Sequence, residues 1–219
     1  MKVHAVIFDM DGLLFDTERL YLEQCRTTER ELGLNIPSEI HEETIGIRED
    51  DAKQVYISRF GPDFPVEQFM LRTKALVLAY IDGHGIPVKN GAFELISELR
   101  RMEVCIVLAS SSTRRVIEKY LVKAGWPPVF DRIISGEEVA AGKPAPDIFL
   151  AAAESVGVGP EECLVLEDSN NGIRAAFAAG MKPVMIPDVK PPDPDVREMV
   201  YKIYSDLRGV KGDLSLVCR

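Results

Sequence analysis

Apolar residues recur along this chain in two rhythms. Between residues 18 and 81 the spacing is helical. Leu20, Tyr21, Cys25, Thr28 and Leu32 mark one face of a helix over 18–32, with Thr17 available as N-cap and Gly33 as its stop. Pro37-Ser38 opens a second, short helix that ends near Gly46. Ala52, Val55, Tyr56 and Phe60 share a face of a third over 48–60, and a fourth spans 66–81 before Gly83, Gly85 and Pro87. No strand pattern separates these four, so they predict a small helical bundle. Elsewhere the apolar residues form short runs rich in Val and Ile, at 3–8, 104–109 and 164–166. From Ala92 onward such runs alternate with helical stretches, the βα pattern of a parallel sheet. The Pro- and Asp-rich stretch 188–196 reads as a loop, and no internal repeat is visible.

Polar chemistry follows each apolar run. Asp9, Asp11 and Gly12 come directly after the first. Ser110, Ser111, Ser112 and Thr113 follow the second, and Glu167-Asp168 follow the third, ahead of a helical SNNGIRAAFAAG. Gly142-Lys143-Pro144-Ala145-Pro146-Asp147 precedes another helical stretch. In a parallel sheet these positions gather at one edge, where open α/β folds bind ligands. Four carboxylates would meet there with a hydroxyl and an ammonium. Carboxylates are costly to desolvate together without a cation or a shared proton. An oxygen-rich set suits Mg²⁺, while hydroxyl and lysine suit phosphate oxygens. Each cluster alone has a plainer reading: an acidic turn, acids favoured at a helix N-terminus, N-cap serines, a solvated lysine. Their joint order favours a metal and phosphate site.

Charge and composition narrow the partners. The 219 residues carry a net charge of −9 and are 46% hydrophobic. An acidic chain disfavours nucleic acid and anionic membrane surfaces. No stretch approaches the ~20 apolar residues of a membrane span. Asp9 and Asp11 interrupt the first apolar run, which is therefore not read as a signal peptide, and a cytoplasmic location is expected. Cys25, Cys105, Cys163 and Cys218 have no metal or redox spacing and are read as free thiols. His4, His41 and His84 are scattered, and each is read as a satisfied or exposed imidazole rather than a ligand.

DMDGLLFDT, LASSS, GKPAPDIF and LEDSNNGI, in this order and spacing, resemble the four motifs of the haloacid dehalogenase-like superfamily, in its β-phosphoglucomutase and small phosphatase branch. The resemblance implies a three-layer parallel-sheet α/β core of Rossmann-like type with an inserted α-helical cap. The core would comprise 1–16 and 85–219, and the cap 17–84. It implies Asp9 as nucleophile, forming an aspartyl-phosphate, and Asp11 as the acid and then base. Mg²⁺ would be held by Asp9, Glu167, Asp168 and the backbone carbonyl of Asp11. Ser110 and Lys143 would hold the phosphoryl group, with the amides of Ser111 and Met10 as further donors. Asp16 is expected to fix the hinge by local hydrogen bonds. Arg48, in the cap-loop sequence Gly46-Ile47-Arg48, either meets an anionic group of the substrate or is an exposed charge opening a helix. Arg72 and Lys74 are read as solvated. Two departures from the mutase pattern stand out: Tyr21 replaces a histidine, and Leu76 falls where a basic residue is expected. A hydrolase of small phosphomonoesters, sugar phosphates or related metabolites such as nucleoside phosphates, is therefore preferred, with a β-phosphoglucomutase-type mutase as the alternative. Asp11 argues against a dehalogenase. The enzyme is expected to act as a monomer.

Overall fold

The computed structural model describes residues 3–126 and 128–214, so Cys218 lies outside the described residues. One sheet contains β1 (Ala5–Phe8), β2 (Cys105–Ser110), β3 (Arg132–Ser135), β4 (Cys163–Glu167), β5 (Lys182–Met185) and β6 (Lys202–Ile203). All pairs are parallel, in the order β3-β2-β1-β4-β5-β6. Parallel strands require crossovers, and helices cover both faces. Side-chain alternation along β1 shows the two layers. Val6 and Phe8 face a cluster containing Leu95 and Leu99 of α5 (Ala92–Arg101), Ile117 of α6 (Arg114–Lys123) and Val210 of α10 (Leu207–Gly212). Ala5 and Ile7 face Ile148 and Phe149 of α7 (Asp147–Val156) and Ala175 of α8 (Asn170–Ala178). The chain is a three-layer α/β fold of Rossmann-like type.

Four helices lie between β1 and α5: α1 (Thr17–Leu32), α2 (Ser38–Glu43), α3 (Glu49–Phe60) and α4 (Val66–His84). They enclose an apolar cluster of their own, with Cys25, Ile36, Tyr56 and Phe69 at its centre. Gly33 ends α1 in the left-handed conformation, φ 65°. The chain enters and leaves these helices through two short segments paired antiparallel. Asp16 N–H donates to Pro87 C=O, and Lys89 N–H to Leu14 C=O, both at 2.9 Å. Lys89 Nζ adds bonds to Asp16 Oδ1 (3.1 Å) and Asp188 Oδ1 (2.7 Å), so the Asp16 side chain is tied to the returning segment 73 residues on.

Three local expectations need correction. Thr17 is the first residue of α1 rather than its cap, and its hydroxyl donates to Asp11 Oδ1 at 2.6 Å rather than accepting from the helix's own amides. The fourth helix continues past Ile81 to His84, and Gly85 stops it. The stretch 188–196 is not all loop: Pro194, whose fixed φ suits a first helical turn, opens α9 (Pro194–Met199).

The strand order places the site. β1 lies between β2 and β4, with Phe8 level with Leu108 on one side and Leu166 on the other. Strand order reverses here, which opens a crevice at the C-terminal edge. Asp9, Ser110 and Glu167 all reach this edge.

Candidate active site

Asp9 leaves β1 with its backbone tied to Leu166 C=O (3.0 Å). A ligand oxygen from each of Asp9, Glu167 and Asp168 lies within 4.8 Å of the others, and all three residues are buried. Lys143, brought in by the loop before α7, donates from Nζ to Asp9 Oδ1 and to Glu167 Oε1 (2.6 Å). Glu167 Oε2 accepts from the amide (2.7 Å) and hydroxyl (3.0 Å) of Ser169, which in turn caps α8 through Gly172 N–H. Two glycines make room for the acids. Gly12 has φ +81°, and a Cβ there would collide with the Asp168 carboxylate. A Cβ at Gly172 would collide with that of Glu167.

The electrostatics are those of a site short of positive charge. Burial pushes Asp9 up to about 7, and the neighbouring Glu167 and Asp11 reinforce this against the opposing Lys143. Asp168 is raised well above the carboxylate range by burial and by Glu167 and Asp9. Burial alone would lower Lys143, but the charges of Asp9 and Glu167 outweigh it and hold the ammonium protonated. One ammonium among these acids leaves a net negative, all-oxygen cluster, the donor chemistry that Mg²⁺ takes.

Asp11 turns away from the cluster toward hydroxyls. Thr17 Oγ1 donates to its Oδ1, and Ser112 Oγ to its Oδ2 at 2.9 Å. Ser110 Oγ is 3.4 Å from the same Oδ2 and accepts from Ser112 N–H at 3.1 Å. Burial raises Asp11, and these hydroxyls work against the rise.

A cavity of about 400 Å³ opens on Asp9 and Asp11. Ser111, Arg48 and Lys74 line it. Ser111 Oγ donates to Gly46 C=O (3.0 Å), and Arg48 Nη1 to Ala140 C=O (3.2 Å), so loop 44–48 rests on the sheet edge. Arg48 also pairs with Asp51 (3.0 Å). Lys74 is not simply solvated: it lines the cavity and pairs with Glu49 (2.8 Å). Arg72 stays on the surface, paired with Glu31. Tyr21 is on the cavity wall, whereas Leu76 is not among its lining residues. The fully buried Ser110 is also not among them. His41 is a buried, bonded core imidazole, while His4 and His84 are exposed.

Three residues of the site escaped the motif reading. Thr17 and Ser112 hold Asp11, and Glu18 lines the cavity with Oε1 3.4 Å from Gly46 N–H. Burial and the charges of Asp11 and Asp9 push Glu18 up to about 8. A signal existed for it: Glu18, Tyr21 and Cys25 fall at i, i+3 and i+7 on the inward face of α1.

Residues 3–180 match the family model of the haloacid dehalogenase-like hydrolases. The chain is 36% identical over 193 residues to the "Probable pseudouridine-5'-phosphatase" of Drosophila melanogaster, covering 85% of this chain and 83% of the relative. It is 32% identical over 189 residues to hexitol phosphatase B of Escherichia coli K12, covering 85% and 84%. The crystal structure of CbbY from Rhodobacter sphaeroides in complex with phosphate superposes with a TM-score of 0.76 at 25% identity, covering 94% and 95%. The chain belongs to the haloacid dehalogenase-like hydrolase family and is a phosphomonoester hydrolase.

Proposed function

We propose that this chain is a Mg²⁺-dependent phosphatase of a small phosphorylated metabolite, working through an aspartyl-phosphate on Asp9. The observation that carries the reading is the pair of carboxylates two residues apart in different settings. Asp9 is fixed by an ammonium beside two more acids, and Asp11 is fixed by hydroxyls on the cavity side. Asp9 would attack phosphorus in line while Asp11 gives its proton to the departing ester oxygen. Asp11, now ionised, would take a proton from water as that water attacks phosphorus, releasing phosphate and restoring Asp9. The raised affinity of Asp11 for its proton suits the first step. Thr17 and Ser112 keep its carboxylate in one orientation, and Lys143 would balance charge on the transferring group. Bound by Asp9, Glu167, Asp168 and the Asp11 carbonyl, Mg²⁺ would offset the repulsion between nucleophile and phosphate.

Helices α1–α4 would act as a cap, residues 17–84, whose closure excludes water and selects the leaving group. The paired crossings at Asp16 and Lys89, and the contacts of Ser111 and Arg48 with the opposite segment, support this. Relatives named as a pseudouridine-5'-phosphatase and a hexitol phosphatase support a small phosphomonoester as the substrate. Tyr21 on the cavity wall, where a β-phosphoglucomutase has histidine, favours hydrolysis over phosphoryl transfer. A cytoplasmic setting accords with the free thiols of Cys25, Cys105 and Cys163. Among the described residues no helix is long and apolar enough to cross a membrane.

Asp11→Asn tests the mechanism. With a good leaving group the first step should proceed and the second stall, so quenched samples should carry one phosphoryl group on Asp9 by mass spectrometry. Phosphate on another residue would refute the assignment. Conversion of β-glucose 1-phosphate to the 6-phosphate with little phosphate released would establish the mutase instead.

A further inference from the structure

Resting on this phosphatase reading, we infer that the leaving group carries an aromatic or heteroaromatic ring, as in a nucleoside monophosphate, rather than a polyol or hexose alone. The cavity above Asp9 and Asp11 is two-sided. One side is formed by Tyr21 of α1, Val77 and Leu78 of α4, and Val116 and Tyr120 of α6. Tyr21, Leu78 and Val116 are half-buried and pack against the main apolar cluster, which includes Val77, Ile81, Ile117 and Tyr120. Their placement is thus set by the packed core and not by a mobile loop. Tyr120 meets Phe15 edge to face, with ring centroids 6.3 Å apart and planes at 88°, which fixes its ring.

Elsewhere the lining is charged, with Glu18, Asp50 and Glu137 beside two cations that are each held in an ion pair. Arg48 is paired with Asp51, and Lys74 with Glu49. A polyol chain laid along the apolar side would lose water from its hydroxyls and gain no partners there. A ring would bury apolar surface and stack on aromatic neighbours, while its ribose-like portion met the polar side. The volume of about 400 Å³ lies within the range of small-molecule sites. The apolar side is assembled from both α1–α4 and α6, so a ring that touches both would also favour the closed arrangement.

The test is a comparison of kcat/KM in Mg²⁺ for a pyrimidine nucleoside 5′-monophosphate, a hexose 6-phosphate, a hexitol phosphate and glycerol phosphate. The nucleoside phosphate should lead by at least about tenfold, and Leu78→Asn and Val116→Asn should each cut that ratio roughly tenfold. Wild-type turnover should also be inhibited competitively by the free nucleoside and not by the free hexitol, a readout that holds if neither variant folds. Equal or better turnover of hexitol or hexose phosphate overturns the inference, as does an unchanged ratio in folded variants. Release of phosphate from none of the four overturns the phosphatase reading itself.

Discussion

At the sheet edge, Asp9, Lys143, Glu167 and Asp168 meet in a layer that solvent scarcely reaches, each at 6% exposure or less. On the helices opposite, the same cavity is lined by Tyr21, Val77 and Leu78 beside Glu18 and the exposed Lys74–Glu49 pair, without a cluster of mutually bonded, fully buried charge among these residues. The difference is one of tolerance. Buried charges must be paired atom by atom, because removing one partner strands the other in a low dielectric. A glycine at 12 or 172 cannot be exchanged without moving an acid. An apolar surface accepts other residues of similar bulk at modest cost. Chemistry is therefore confined to the sheet edge, and the helical side is free to choose the leaving group.

That contrast predicts losses of very different size. Asp9→Asn should abolish turnover, by at least about 10³-fold, since an amide cannot form the acyl phosphate. Its melting temperature should stay near that of the wild type, because one negative charge leaves an over-acidic cluster. Residual turnover within tenfold of wild type would move the nucleophile elsewhere. Chelation with EDTA should remove activity, and adding Mg²⁺ should restore it and raise the melting temperature. Asp168→Ala should shift the Mg²⁺ dependence of both readouts to higher concentration. Full activity in EDTA with no metal bound would break the proposed charge balance.

Lys143→Met asks how much of the sheet edge stands on its single ammonium. Without it Asp9 and Glu167 face each other unpaired, a loss of about 3 kcal/mol, or roughly 6–12 °C in melting temperature for a chain this size, measured in EDTA. Mg²⁺ should recover much of the stability but not the turnover, which distinguishes charge balance from phosphoryl positioning. An unchanged melting temperature would show that the acids are already protonated in the metal-free protein.

The unequal tolerance also explains what could be read in the sequence. β1, β2 and β4 were visible as apolar runs because strands buried on both faces have few alternatives. The clusters after them were visible because parallel pairing brings strand ends to one edge. Gly33 and Gly85 marked helix ends, but Thr17 did not cap, since Asp11, six residues earlier, took its hydroxyl. The bond from Ser112 to Asp11, by contrast, joins residues 101 apart whose proximity depends on the whole fold. Lys74 looked like a surface lysine, and only the packing of α4 over the sheet edge turns it to the cavity. The substrate side was the least legible, because an apolar helix face reads the same whether it covers a core or a ligand.

The smallest expected effect belongs to the helical side and concerns its own core. His41 is 1% exposed, with Nδ1 2.8 Å from Tyr56 Oη and Nε2 2.7 Å from Glu29 Oε1. It stacks on Phe69 at 5.8 Å between centroids. Burial lowers its proton affinity; Glu29 opposes this, and the charge of Arg26 adds to it. With a folded pKa below the unfolded value of about 6.5, the unfolded chain binds the extra proton first. Stability is therefore present above about pH 6.5 and is lost as pH falls from there through the folded pKa. His41→Gln retains hydrogen-bonding groups but cannot titrate in this range. The carboxylates of the sheet edge respond to pH in both proteins, so the difference between wild type and variant isolates the imidazole. Thermal melts at pH 8 and pH 5.5 should show the wild type losing a few degrees more than the variant, at roughly 2–4 °C per kcal/mol. Equal losses would mean that His41 is already protonated against Glu29, and that the helical core, like the sheet edge, is held by a buried ion pair.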